Sequence, residues 1–173
     1  MASHDSSVLD SDIGSRTGPR LSLHALIFGI NEYASREICD LKGAVPDAMA
    51  IKAYLEKDLG VLPSQIRLLR DAEATRSGII QAFHDLITNQ SIRRDDPILI
   101  FFAGHGGEAD APNGWVAGDP KIQMLIPHDF NTIVDGRVVH GIPIRRTIGT
   151  LLSRVAHKWG DNIVRLCKLY TNA

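Results

Sequence analysis

The amino-acid sequence predicts an α/β fold in which a mostly parallel central sheet is flanked by helices on both faces. Short, continuous apolar runs alternate along the chain with longer segments whose apolar residues recur at helical spacing. Turn-forming residues separate the two kinds of segment. In such sheets, reactive groups gather beyond the carboxyl ends of the strands, so the residues after each strand are the ones to inspect.

The predicted strands are short runs rich in apolar residues, and the first of them, bounded by turn formers, is typical of a strand buried on both faces. They cover residues 23–30, 66–69, 98–102, 122–126 and 163–169. A loop that contains Gly and Pro is expected at 106–120.

Three helices are predicted between these strands. Pro46 and Asp47 are expected to open the first helix, and Gly60 to end it. Thr75 is the expected N-cap of the second helix. The apolar stripe of the third consists of Ile144, Ile148, Leu151, Leu152 and Val155.

Composition restricts the class of protein. With 173 residues the chain has the length of one domain, and its 19 basic and 20 acidic residues give a formal charge of -1. This balance gives no reason to expect a nucleic acid or a membrane as partner. Two cysteines, Cys39 and Cys167, cannot form a disulfide framework, so we expect a cytoplasmic or nuclear protein. Residues 1–20 are rich in Ser, Asp and Gly and are expected to be a disordered leader before a domain at 21–173.

The segment FFAGHGG, residues 101–107, is the strongest candidate for a reactive site. It places His105 at the end of a buried strand, between glycines that allow another backbone or a substrate to approach. Imidazole is the side chain best suited to transfer a proton near neutral pH. A histidine that only caps the strand fits the same local pattern, and the segment alone does not separate the two interpretations.

Four segments, in this order, resemble the caspase family and within it the metacaspases and their fungal relatives. They are ALIFGINEY (25–33), LKGAVPDA (41–48), FFAGHGG (101–107) and IQMLIPHDF (122–130). The resemblance covers roughly residues 22–163. It implies a caspase-like three-layer fold and a cysteine endopeptidase that acts on protein or peptide substrates, in a family linked to programmed cell death.

The resemblance also implies roles for individual residues. His105 matches the catalytic histidine, and Gly106 matches the residue whose backbone N–H stabilises the oxyanion. Asp47 and Ala103 match positions that bind substrate, and a carboxylate at 47 implies cleavage after Arg or Lys. For Asp47 an alternative stays open, because an acidic residue in the first turn of a helix also stabilises the helix dipole.

One element of the family pattern is not found. The family's nucleophile lies in a segment like Asp-x-Cys-x-x-Gly, whereas the residues after Ile163 are VRLCKLYTNA. Cys167 lies about two residues early and within the predicted strand, so it is a weak candidate nucleophile beside a structural interpretation. Cys39 has no motif around it. We therefore expect a domain whose C-terminal strands and helices are missing and whose sheet edge is open.

Two functions are compatible with this pattern. One is a working peptidase that uses Cys167 or a cysteine supplied from elsewhere. The other is an inactive fragment that binds partners, including full-length caspase-like relatives, through the open sheet edge. No cofactor is certain and no zinc spacing is present. The resemblance implies activation by Ca²⁺, for which Asp129 and Asp135 are candidates, although a solvated loop explains these two residues better.

Overall fold

The computed structural model of the chain describes residues 22–111 and 121–170. The predicted leader at 1–20 and most of the predicted loop at 106–120 lie outside the described residues. The strands are β1 (His24–Gly29), β2 (Ile66–Arg70), β3 (Ile98–Asp110), β4 (Lys121–Leu125), β5 (Ile133–Val134), β6 (Arg137–Val138), β7 (Ile142–Pro143) and β8 (Ile163–Tyr170). The helices are α1 (Ala44–Lys57), α2 (Arg76–Thr88) and α3 (Gly149–Trp159).

The main sheet has β3 at its centre. Its strand order is β2-β1-β3-β4-β7, and β8 pairs with β3. Because β1 and β8 both pair with the first half of β3, they lie on opposite sides of it. The pairs β1–β2, β1–β3 and β3–β8 are parallel, whereas β4 is antiparallel to β3 and β7. The predicted α/β fold with a mostly parallel sheet is confirmed.

Alternation along the central strands divides the core between the two faces of the sheet. On one face, Ala25, Ile27 and Phe101 lie in the same apolar cluster as Ala48 of α1. On the other face lies the larger cluster, which joins the sheet to α2 and α3. Its members include Leu26, Phe28, Ile100, Phe102, Ile79, Phe83, Leu152 and Val155. Helices therefore cover both faces, as the predicted three-layer arrangement requires.

The end of β3 differs from the prediction. A strand was expected only at 98–102 with a loop from 106, but β3 continues to Asp110. The first half of β3 pairs with β1, and its second half, from Gly106, pairs with β4. Both partners lie on the same side of β3, β4 beyond the end of β1. The extension depends on pairing with β4, the next strand of the chain, and the glycine-rich segment itself carries no strand signal.

The helix predictions are confirmed, with shifted ends. Helix α1 begins two residues before Pro46, and Thr75 caps α2 by accepting a hydrogen bond from the Gly78 N–H at 3.0 Å. A π-helical turn, Ile144–Ile148, precedes α3. Asp135 and Gly136, with φ of 51° and 74°, form an unpredicted turn between β5 and β6. No helix within the described ranges is long and apolar enough to cross a membrane.

Candidate active site

The main chain of His105 lies where the pairing of β3 with β1 ends and its pairing with β4 begins. Its N–H donates a hydrogen bond to the Tyr33 hydroxyl at 2.8 Å, and its carbonyl accepts one from the Ile126 N–H at 3.0 Å. The Tyr33 and His105 rings are 5.1 Å apart between centroids. His105 is only 4% exposed. These contacts fix both the position and the tilt of the imidazole.

Both ring nitrogens of His105 face backbone carbonyls. Nδ1 lies 3.0 Å from the Tyr170 carbonyl oxygen, and Nε2 lies 2.8 Å from that of Cys39. A neutral imidazole carries one N–H, so only the imidazolium form donates to both carbonyls. Each ring nitrogen therefore has a carbonyl acceptor within hydrogen-bond distance, so the N–H of either tautomer has a partner.

Tyr33 is positioned by the turn that follows β1. The Asp71 carboxylate accepts hydrogen bonds from the N–H groups of Asn31 and Glu32 at 2.8 and 3.0 Å, and the Asp40 carboxylate accepts one from the Tyr33 N–H at 3.0 Å. Burial raises the pKa of Tyr33 to about 12; the His105 N–H opposes this shift, and the Asp71 and Asp40 charges add to it. The phenol is therefore a neutral hydroxyl under ordinary conditions.

Tyr170 connects the two side chains that the sequence singles out. It lies opposite His105 in the β3–β8 register, and its carbonyl is the partner of the imidazole. Its hydroxyl donates a hydrogen bond to Asp47 Oδ2 at 2.7 Å. The hydroxyl reaches Asp47 past Gly43, where a Cβ would lie only 2.7 Å from it. A single residue of β8 thus contacts both His105 and Asp47.

The Asp47 carboxylate, in the first turn of α1, also accepts from Lys168. The Lys168 Nζ lies 2.7 Å from Oδ2. Hydrogen bonds from Lys168 and then from Tyr170 lower the pKa of Asp47, and the same carboxylate and Tyr170 raise the pKa of Lys168. Asp47 is therefore a charged carboxylate that holds a cation in this structure.

The two other predicted contacts lie in different environments. Ala103 is 0% exposed, and its carbonyl accepts the Ile30 N–H at 2.9 Å, so the residue packs between strands and does not reach a substrate from solvent. Gly106 lines a cleft of about 480 Å³ together with His105. A Cβ at Gly106 would lie 3.1 Å from Leu169 Cδ1, so the missing side chain keeps the cleft open beside His105.

Cys167 lies away from His105. Cys167 pairs in register with Phe102, whereas Tyr170 pairs with His105. Cys167 and Tyr170 are three residues apart, which corresponds to about 10 Å along the strand. Cys167 faces the opposite side of the sheet, where it lines an apolar pocket of about 220 Å³. Burial raises the pKa of the Cys167 thiol, and the Arg165 charge opposes this shift. The structure does not bring this thiol to the imidazole.

The residues suggested for calcium do not fit a common site. Asp129 uses a carboxylate oxygen to accept the Arg76 N–H at 2.7 Å, at the start of α2. Asp135 lies in the turn between β5 and β6. Within 22–111 and 121–170, no three His, Cys, Asp or Glu side chains come together as metal ligands. The described residues thus do not provide the several oxygen ligands that Ca²⁺ requires.

The structure thus places a histidine of the central strand and an acidic residue of an adjoining helix in contact with the same residue of β8. The sequence profile of the caspase domain, peptidase C14, matches residues 22–153. The chain belongs to this family, which is a family of cysteine peptidases. No curated protein sequence matches the chain significantly.

The fold is also similar to a solved structure. This is the crystal structure of protein GSU0716 from Geobacter sulfurreducens, with a TM-score of 0.60 and 17% identity. The match covers 84% of this chain and 48% of that one, so this chain spans about half the length of the protein it matches. At this identity the likeness concerns the fold alone.

The sequence analysis missed four contributors to the site. Tyr33 ends the segment 25–33 and was not assigned a role, although its place directly after β1 was a usable signal. Tyr170 and Lys168 share the strand face opposite to Cys167, which alternation predicts once the strand is assigned. Nothing in the sequence indicates that the Cys39 carbonyl binds the imidazole, because that contact depends on the fold of the loop after β1.

Proposed function

We propose that this chain carries the proton-donating and substrate-recognising part of a caspase-type cysteine endopeptidase site that cleaves after Arg or Lys. The observation that supports this most is the connection of the His105 imidazole to the Asp47 carboxylate through Tyr170. A charged carboxylate beside a proton donor is suited to hold a basic side chain next to the bond to be cut. The family supplies the class of reaction.

In the proposed reaction a cysteine thiolate attacks the carbonyl carbon of the peptide bond, and the Gly106 N–H donates to the resulting oxyanion. As the C–N bond breaks, His105 transfers a ring proton to the departing amine, once substrate has displaced one carbonyl from the imidazole. Water then attacks the thioester, the neutral imidazole accepts the proton of this water, and the thiolate leaves.

Three sources of the cysteine thiol are compatible with this proposal. Cys167 lies on the same strand as Tyr170 but on the other face of the sheet, so its use requires a rearrangement of β8. Cys39 is exposed, and its own carbonyl already contacts His105. A cysteine supplied from elsewhere is the third source.

The test is hydrolysis of fluorogenic peptides that end in Arg, Lys or Asp. We expect turnover after Arg and Lys only, and a loss of about 10²–10⁴-fold in His105→Ala. His140→Ala removes an exposed histidine outside the site and serves as the matched control. Cys167→Ser and Cys39→Ser identify the thiol. Turnover that is equal for Asp peptides, or that survives His105→Ala, would contradict the proposal.

A second candidate function, protein binding through the sheet edge, is supported by β8 itself. Val164, Leu166 and Leu169 are 53%, 45% and 41% exposed. Apart from β3, no strand pairs with β8 among the described residues. A long apolar edge strand is a template for pairing with another chain. The corresponding partner is a full-length caspase-like relative.

This second candidate is tested by light scattering of the chain mixed with a purified full-length caspase-domain protein. A complex that Leu166→Lys abolishes would support binding through β8. Val134→Lys, at an exposed position in β5, is the matched control. A complex that is insensitive to Leu166→Lys would exclude the edge as the contact.

A further inference from the structure

Lys168 occupies the carboxylate that the proposed function assigns to the substrate. Its Nζ lies 2.7 Å from Asp47 Oδ2, and the Tyr170 hydroxyl donates to the same oxygen at 2.7 Å. Among the described residues, no donor to Asp47 Oδ1 is found. The Lys168 Nζ also lies 5.4 Å from the centroid of the Tyr170 ring, which holds the ammonium from a second side.

We propose that Lys168 is an internal competitor that holds the Asp47 carboxylate in place of the basic side chain of a substrate. An arginine ligand binds only after it has displaced the Lys168 ammonium. Tyr170 keeps its hydrogen bond and orients the carboxylate in both states. This inference rests on the proposed function, because it takes Asp47 as the group that recognises the basic residue.

The exposure of the pair makes the exchange easy. The side chains of Lys168 and Asp47 are 55% and 31% exposed, and ion pairs that water reaches contribute little to stability. A guanidinium presents two parallel N–H groups and therefore engages both carboxylate oxygens, whereas the lysine ammonium uses one. An arginine ligand thus forms the stronger pair, and the cost of displacing Lys168 lowers its affinity only modestly.

The charge on β8 supplies a matched control. Arg165 lies three residues before Lys168 and on the opposite face of the strand, where it lines the apolar pocket beside Cys167. Arg165→Gln removes one positive charge from β8, as Lys168→Gln does, but leaves the Asp47 pair intact. Any gain from reduced long-range repulsion of a cationic ligand is therefore common to both variants.

The test is binding of Nα-acetyl-argininamide, followed by amide chemical shifts in NMR titrations, which needs no catalytic thiol. We expect the Kd to fall by about two- to fivefold in Lys168→Gln, the range that weak exposed ion pairs give. Lys168→Arg retains the competing cation and should not tighten binding. Arg165→Gln should show only the small long-range gain that both charge removals share, and Asp47→Asn should abolish binding. Amide dispersion in the same spectra verifies that each variant is folded.

The outcomes separate this inference from the function on which it rests. If Asp47→Asn abolishes binding but Lys168→Gln binds no more tightly than Arg165→Gln, then Lys168 is not a competitor and the role of Asp47 stands. If Asp47→Asn binds as the unsubstituted chain does, or if no variant binds, then Asp47 does not recognise a basic side chain. The proposed specificity then fails together with this inference.

Discussion

Replacing Tyr33 with Phe tests how His105 is held in place. The Tyr33 hydroxyl accepts the hydrogen bond of the buried His105 N–H at 2.8 Å. The substitution leaves this donor without a partner, which costs about 1–3 kcal/mol of folding free energy. Chemical denaturation followed by far-UV circular dichroism at about pH 8 measures this cost.

The same phenol makes the cost depend on pH. Burial raises the pKa of Tyr33 from 10.0 in the unfolded chain to about 12 in the folded one. The unfolded chain therefore releases the proton first, so this contribution to stability is complete below pH 10 and declines as the pH rises towards 12. About pH 11 lies midway between the two pKa values, and ionisation of the phenol there shifts the unfolding equilibrium about tenfold towards the unfolded chain. This shift is a loss of about 1.4 kcal/mol.

Tyr33→Phe has no phenol to ionise and escapes this loss. We therefore expect its destabilisation relative to the unsubstituted chain to shrink by about 1.4 kcal/mol between about pH 8 and about pH 11. Tyr54→Phe, which removes the hydroxyl of a tyrosine that is 53% exposed, is the matched control. The same cost of Tyr33→Phe at both pH values would refute the argument that burial raises the pKa of Tyr33.

Two further predictions concern packing and thiol reactivity. Gly29→Ala should destabilise the fold by about 1–3 kcal/mol, because its Cβ would lie 2.6 Å from Ala48 Cβ. Gly149→Ala, whose Cβ would have its nearest contact at 3.6 Å, should instead stabilise α3. Thermal unfolding of the two variants measures both effects. Because burial raises its pKa, Cys167 in a Cys39→Ser background should react with iodoacetamide near neutral pH more slowly than free cysteine does. A rate at or above that of free cysteine would contradict the raised pKa of this thiol, which belongs to an exposed residue and is only partly screened from water.

The predictable parts of the fold are those whose signals are local. Strand β1 is a continuous apolar run, and α2 combines a Thr75 cap with a periodic stripe, so sequence alone identifies both. The second half of β3 was missed because its glycine-rich sequence has low strand propensity, and only pairing with β4 stabilises it. The turn at Asp135 and Gly136 was missed although Asp-Gly is a hairpin signal, because its strands are only two residues long.

The residues of the candidate site likewise divide into those that the sequence predicts and those that it does not. His105 and Asp47 were selected from the sequence because each lies in a segment that resembles the family, and the structure joins them through Tyr170. The joining residue and the Lys168 contact were not predicted, because they depend on the register of β8 against β3. Register is set by packing and turn geometry across the whole sheet rather than by the strand's own sequence.

The register of β8 also decides which chemistry the strand brings to the site. In the observed register Lys168 and Tyr170 lie on the face of α1, while Cys167 lies on the face of α2 and α3. Because side chains alternate, a shift by one residue would exchange the two sets and move the thiol to the face of Asp47. The hydrogen bonds of Tyr170 to His105 and Asp47 stabilise the observed register. The contacts that join the imidazole to the carboxylate are therefore the same contacts that keep the Cys167 thiol on the other side of the sheet.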